Sequence, residues 1–327
     1  MALPSEGPGT SVPEPFPPAY IPLRRRRFQH RWSRHVLLFF VTLLTTTVVG
    51  ALHYRDFQAA LNPPPPLSWT VALSLLPRGL WYSLTILGIL GAHEMGHYLY
   101  CRKYRVDATL PYFIPAPLPL TGTLGAVIRI REAFPTRTAL FDIGVAGPIA
   151  GFLALLPPLY YGMTMSKVMP LPAEASGLVI GAPLLLQWAV HLVWGAVPAG
   201  HTLNIHPMLF AAWFGMLATA LNLLPFGQLD GGHIAYATVG RYSTPISVAT
   251  VAIAVLMTFV SVSWLFVTIM MILMLFALGP RHPRVINEYE PLGPGRRAIA
   301  FVAALMFCVC FTPVPIQWFE LIRTPEL

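Results

Sequence analysis

The residues best equipped for chemistry are His93, Glu94 and His97, in the stretch Gly91-Ala-His-Glu-Met-Gly-His-Tyr98. Positions four apart share one face of a helix, so His93 and His97 can direct two imidazole nitrogens at a single metal ion, with Glu94 one step round. Two neutral nitrogens suit zinc, and a carboxylate beside them can act as base toward a polarised water. Leu80–Ala92, which leads into the motif, contains no charged residue, and ionisable groups beside so apolar a run are costly unless they have a task.

A tetrahedral catalytic zinc takes three protein ligands and keeps one position open. The best candidate for the third lies in Asn222-Leu-Leu-Pro-Phe-Gly-Gln-Leu-Asp-Gly-Gly232, where Pro225 and three glycines interrupt an apolar helix. Broken backbone at membrane depth is tolerated chiefly where it lines a cavity or a site. Asp230, one of four aspartates in the chain, is therefore the candidate ligand. Asp142 reads as a helix-start residue and His233 as a loop or helix-start histidine. His191, His201 and His206 fall on the opposite side of the membrane, and Met270, Met271 and Met274 read as a lipid-facing or packing surface.

The elements that must position these residues are membrane spans. With 327 residues, 55% hydrophobic and 10% charged, the composition is that of a polytopic membrane protein. The net charge of +8 does not indicate nucleic acid, because most of the 21 Lys and Arg fall in segments assigned to one side of the bilayer. Cys101, Cys308 and Cys310 have no metal-finger spacing and indicate no structural disulfide.

Residues 1–35 read as a disordered Pro-rich tail ending in a basic block, Arg24–Arg27 with Arg31 and Arg34, that anchors the N-terminus in the cytoplasm. The first span is then an uncleaved anchor. Residues 36–315 form the embedded core and 316–327 a short tail. Spans are expected at Val36–Leu52, Leu80–Tyr100, Ala139–Tyr161 and Pro207–Leu224, then two short helices in Ile246–Leu278 with a turn near Ser261–Ser263, and a last span at Ala298–Phe311. The stretch 178–198 is outside-facing and non-crossing, since otherwise Asp230 would emerge opposite His93 and His97. The fold class is thus all-α polytopic with about seven membrane segments and a small β hairpin or re-entrant loop near the active site. Gly144, Gly147 and Gly151 allow close helix packing.

The hairpin is expected in Gly122-Thr-Leu-Gly-Ala-Val-Ile-Arg-Ile-Arg131, which alternates like a strand. It fits an ordinary loop hairpin and equally a strand edge beside the metal, to which an extended substrate adds by backbone hydrogen bonds, with Gly122 and Gly125 permitting close approach.

His-Glu-x-x-His on one span, with Asn222, Pro225, Leu229, Asp230 and Gly231 in register at the end of a later one, resembles the site-2 protease family of intramembrane zinc metalloproteases. Leu223 stands where that family usually has a first proline. Gly122–Arg131, Phe141–Gly151 and Trp213–His233 further resemble the branch with plastid and bacterial members that lack an inserted PDZ domain. The interval of about 45 residues between the third and fourth spans is too short for one. The resemblance implies one zinc per chain held by His93, His97 and Asp230, with Glu94 activating its water. Asn222 then hydrogen-bonds substrate or an oxyanion, or else caps the broken helix. It also implies hydrolysis of a peptide bond in or near the transmembrane helix of a single-span protein, in regulated intramembrane proteolysis. Rival readings of the same cluster are a membrane metal transporter and a catalytically idle scaffold. The oligomeric state is not legible, and the charge pattern makes a plasma membrane the default, with a plastid membrane as alternative.

Overall fold

The computed structural model describes residues 31–62, 65–66, 68–171, 176–279, 282–283 and 285–320. The Pro-rich stretch 1–22, Arg24–Arg27, Pro63, Pro64, Arg281, Arg284 and the last seven residues, 321–327, lie outside the described residues.

In chain order the elements are α1 (Trp32–Ala59), α2 (Trp69–Lys103), β1 (Tyr112–Pro115), β2 (Thr123–Val127), α3 (Arg137–Met165), β3 (Lys167–Pro170), β4 (Ser176–Ile180), α4 (Leu184–Trp194), β5 (His201–Asn204), α5 (Pro207–Asn222), α6 (Asp230–Val239), a 3-10 turn at Gly240–Tyr242, α7 (Ser243–Met257), α8 (Ser263–Leu278), α9 (Pro294–Cys310) and β6 (Ile316–Glu320). Local chemistry sets several of these starts. Ser68 caps α2 by accepting from the Val71 N–H, and Thr136 caps α3 by accepting from the Ala139 N–H.

Among the described residues four helical stretches are long and apolar enough to cross a bilayer: α1, α2, α3 and the continuous run Asp230–Met257, which joins α6 to α7. Helix length and composition support four of the about seven membrane segments expected. At 1.5 Å per residue the shorter apolar helices α5, α8 and α9, with 16, 16 and 17 residues, reach about 25 Å. The physical reason is interruption. Leu223–Leu229 ends α5, and Thr258–Val262 separates α7 from α8 near the expected turn. The α6–α7 run also begins well before Ile246, bending at Gly240 with φ 58°. Helix α4, at 11 residues, is too short to cross.

The all-α expectation with one hairpin is also incomplete, because three two-stranded antiparallel sheets are present among the described residues: β1–β2, β3–β5 and β4–β6. The pairing of β4 with β6 carries ordered structure past residue 315.

Helix α2 lies between α1 and α3, with α5 packed against both α2 and α3. Backbones approach closely where side chains are missing: a Cβ on Gly50 or Gly79 would strike the carbonyl of Gly79 or Thr47 across the α1–α2 contact. Trp213 of α5 is fully buried, and its indole N–H donates to the Gly181 carbonyl at 2.7 Å. The β1–β2 hairpin folds back along α1 and α2. Thr45 Oγ1 donates to the Gly122 carbonyl at 2.7 Å, the His53 ring N–H to Leu120 O at 3.0 Å, and the Tyr82 hydroxyl to Thr121 O at 3.1 Å. Its other end reaches Glu94, so it runs beside some twelve residues of α2, about 18 Å.

Candidate metal centre

The two imidazoles stand one turn apart on α2 and are both buried, with Nε2 atoms 3.1 Å apart. Asp230, the first residue of α6, brings Oδ2 to 3.1 Å from His93 Nε2 and Oδ1 to 3.3 Å from His97 Nε2. A tetrahedral zinc with bonds of about 2.0–2.1 Å has ligand-to-ligand edges of about 3.3 Å. The two nitrogens and the carboxylate thus have the spacing and chemistry of one face of such a polyhedron, with the fourth corner left over. Among the described residues this is the one group of three or more His, Cys, Asp or Glu side chains that can hold a metal ion.

Supporting contacts orient the ligands. His97 Nδ1 lies 2.7 Å from the Ile143 carbonyl of α3; a carbonyl only accepts, so Nδ1 carries the proton and the Nε2 lone pair points into the cluster. Glycines of α3 make room for the rings: a side chain at Gly147 would fall on the His97 imidazole, and one at Gly151 would come within 3.1 Å of His93 Cβ. The sequence offered these glycines as packing positions. Their spacing of four, matched to the spacing of four between the histidines, was the signal for this second task.

Asp230 is delivered by a turn that only glycine allows. A Cβ on Gly231 would clash with the carbonyls of Leu223 and Leu224, and one on Gly232 with those of Phe226 and Gly227. The first turn of α6 therefore nests inside Leu223–Leu229. Its far end is held by the Arg137 guanidinium, which donates to the Ala237 carbonyl at 2.7 Å.

Glu94 is buried, and its Oε2 accepts from the Ile128 N–H, just past β2, at 2.9 Å. Asn222, the last residue of α5, places Nδ2 3.4 Å from His93 Nε2, and this is the contact its side chain makes rather than one with the helix end. The two hairpin glycines differ. Gly122 (φ 70°) sits against the backbone of Thr45 and Thr46 in α1, which accounts for it by packing, whereas Gly125 (φ 103°) faces open space within β2.

The lesser candidates are engaged elsewhere, although His233 sits one turn after Asp230 on α6. Asp142 does not start its helix, which Thr136 caps; it forms a two-pronged ion pair with Arg296 of α9, at 2.8 and 2.9 Å, and accepts from the Tyr104 hydroxyl. His233 Nδ1 lies 2.6 Å from His282 Nε2. His206 caps α5 by accepting from the Met208 N–H, and Met271 is fully buried beside Leu224 and Phe226. Thr136, Arg137, Ile143 and Arg296 carried no sequence signal, because their tasks depend on partners far along the chain.

The family model described as Peptidase family M50 matches residues 81–266, which include His93, Glu94, His97, Asn222 and Asp230. The chain is 30% identical over 260 residues to "Probable zinc metalloprotease EGY2, chloroplastic" of Oryza sativa subsp. indica, covering 76% of this chain and 46% of that protein. It is 30% identical over 282 residues to "Probable zinc metalloprotease EGY1, chloroplastic" of Arabidopsis thaliana, covering 82% and 48%. The chain spans about half the length of the curated relatives it matches. No solved structure matches. With a family match over more than half its length, laid across a two-histidine, one-aspartate centre in a set of membrane-length helices, this chain belongs to peptidase family M50, the site-2 proteases.

Proposed function

We propose that this protein is an intramembrane zinc metalloprotease that hydrolyses a peptide bond in or near the transmembrane helix of a single-span membrane protein. The observation that carries the reading is the convergence of His93, His97 and Asp230 from two separate helices, with the carboxylate of Glu94 beside them. Zinc, when bound, polarises a water and the scissile carbonyl and brings the pKa of that water toward about 7. Glu94 takes the proton from the attacking water and passes it to the leaving amine. Its Oε2 is occupied by the Ile128 N–H, which fixes the carboxylate and leaves Oε1 for the transfer. The Asn222 amide donates to the substrate carbonyl as negative charge develops there.

The substrate reaches this centre unwound, since a helix hides its carbonyls in hydrogen bonds. The β1–β2 sheet has two strands, so the outer edge of β2 is open to a third. The extended substrate segment adds to that edge, and the open side of Gly125 together with exposed Leu124 and Val127 supports this docking. Helix-weakening residues in the substrate therefore speed cleavage, and their replacement by leucine slows it.

The N-terminus and the metal centre share the side marked by Arg102, Lys103, Arg296 and Arg297. Nothing supports the plasma membrane expected from the charge pattern; the chloroplastic relatives favour a plastid membrane, where that side is the interior of the organelle. The test is cleavage of a single-span reporter by purified full-length protein in detergent, comparing wild type with Glu94→Gln. Zinc bound to both and cleavage by wild type alone supports the reading. Zinc bound to both with no cleavage by either, across several reporters, returns the site to the transporter or scaffold.

A further inference from the structure

The row of glycines on α3 seats three histidines rather than two. Gly147 and Gly151 make room for His97 and His93, and a Cβ on Gly144 would come within 2.9 Å of the Cβ of His233. His233 stands one turn after Asp230 on α6, so its ring packs on the same face of α3 as the two ligand imidazoles. Phe134 meets that ring edge-on from the loop before α3, with ring centres 5.6 Å apart.

With neutral rings, the hydrogen-bond chain through His233 has one possible polarity. His282 Nδ1 lies 2.6 Å from the Pro283 carbonyl, which only accepts, so Nδ1 carries the proton and Nε2 is an acceptor. His233 Nδ1, 2.6 Å from that Nε2, must then donate. Its proton on Nδ1 leaves His233 Nε2 with a lone pair. His282 is itself held in place. It stacks on Tyr236 with ring centres 4.4 Å apart, and the Tyr236 hydroxyl donates to Glu288 Oε1 at 2.7 Å. The Ile286 and Asn287 N–H groups donate to the Phe134 and Pro135 carbonyls, each at 3.0 Å, which ties the stretch 285–288 to the loop before α3.

His233 Nε2 makes no hydrogen bond to the described residues, and the side chain is partly exposed rather than sealed. A fixed acceptor without a partner, one turn from a metal ligand, calls for a donor from outside the chain. In an extended segment laid along β2, successive residues point their N–H groups alternately toward β2 and away from it. Those that point away have no ladder to join, and an unpaired N–H in an apolar site is costly. We propose that His233 Nε2 accepts a main-chain N–H of the unwound substrate, from the set facing away from β2, and that His282 is the positioning residue that keeps it an acceptor. This contact deepens the peptidase reading and rests on it.

The experiment measures binding of a single-span reporter to full-length Glu94→Gln protein in detergent. Each main-chain amide across the helix-weakened part of the reporter is replaced in turn by an ester, which lacks the N–H. At one position the ester is expected to weaken binding about tenfold, the scale of one lost hydrogen bond, and to change nothing once His233→Phe is added. His282→Gln, which still offers an acceptor, keeps the ester effect, whereas His282→Lys, which only donates, abolishes it. Nitrogen-15 shifts of the histidine rings report the cause: His233 carries its proton on Nδ1 with His282 or His282→Gln, and on Nε2 with His282→Lys. Helix content and bound zinc stay unchanged in all three variants. An ester effect that survives His233→Phe, or none at any position, overturns the contact, and unmoved ring shifts in His282→Lys overturn the role of His282. Loss of zinc in His233→Phe with helix content retained overturns both, since His233 is then a metal ligand. None of these readouts needs hydrolysis, so a wild type that cleaves no reporter while the coupling holds counts against the peptidase reading alone.

Discussion

The two halves of the metal centre are built in opposite ways. On α2, His93, Glu94 and His97 are positioned by a single turn of uninterrupted helix, so their geometry is local and set by the 3.6-residue period. On the other side, Asp230 stands at the first position of α6 because Leu223–Leu229 breaks the chain and Gly231 and Gly232 let α6 nest in the break. The helical half arises wherever α2 folds. The turn half exists only in the assembled molecule, and it is the half that changes two imidazoles into a three-ligand site.

Removing one ligand from each half gives the largest expected effect. Asp230→Ala and His97→Ala are both expected to lose stoichiometric zinc, read by metal analysis of the purified protein, and to lower reporter cleavage by about 10⁴-fold or more. Retained helix content distinguishes ligand loss from unfolding.

Next in size is Asn222→Ala, expected to lower kcat by about 10²–10³-fold with zinc retained, the cost of one oxyanion donor. If zinc falls instead and kcat per bound zinc is unchanged, Asn222 orients His93 rather than the substrate.

Smaller effects test the supporting glycines. Gly147→Ala places a methyl on the His97 ring and is expected to weaken zinc about 10–100-fold, measured by competition with a chelator. Gly151→Ala, whose methyl meets His93 at 3.1–3.3 Å, should cost less, because the ring can give by a few tenths of an ångström. The reverse order would mean that α3 moves as a body.

The smallest effect is expected at the one departure from the family's usual second motif. Leu223→Pro removes a backbone N–H that donates to the Thr219 carbonyl at 3.0 Å and touches no ligand. Zinc affinity should change by less than about tenfold, with the loss appearing in thermal stability.

Legibility in the sequence follows the same division. The helical half was readable because spacing alone places two histidines on one face. Asp230 was readable as a candidate third ligand because it is a carboxylate in a glycine- and proline-broken helix end, and the resemblance placed it in register with a known motif. That Gly147 and Gly151 are seats for imidazoles, that Ile143 sets the tautomer of His97, and that Arg296 answers Asp142 across 154 residues of chain depends on which helices become neighbours. The same limit hid two of the three sheets. Strands of four or five residues, with partners such as Ser176 and Glu320, have too little periodicity to register alone. Segment bounds were the least legible part, because hydropathy counts apolar residues and does not show where a helix breaks, as it does at the ends of α5 and α7.

Asp230 completes the site from a separate helix. The direct measurement is X-ray absorption at the zinc edge on metal-loaded wild type and on Asp230→Ala. Two imidazole nitrogens and a protein carboxylate at about 2.0–2.2 Å in wild type, with the carboxylate signal and tight binding lost in the variant, is the predicted result. An unchanged zinc shell and affinity in Asp230→Ala would contradict it and assign the third position to another group.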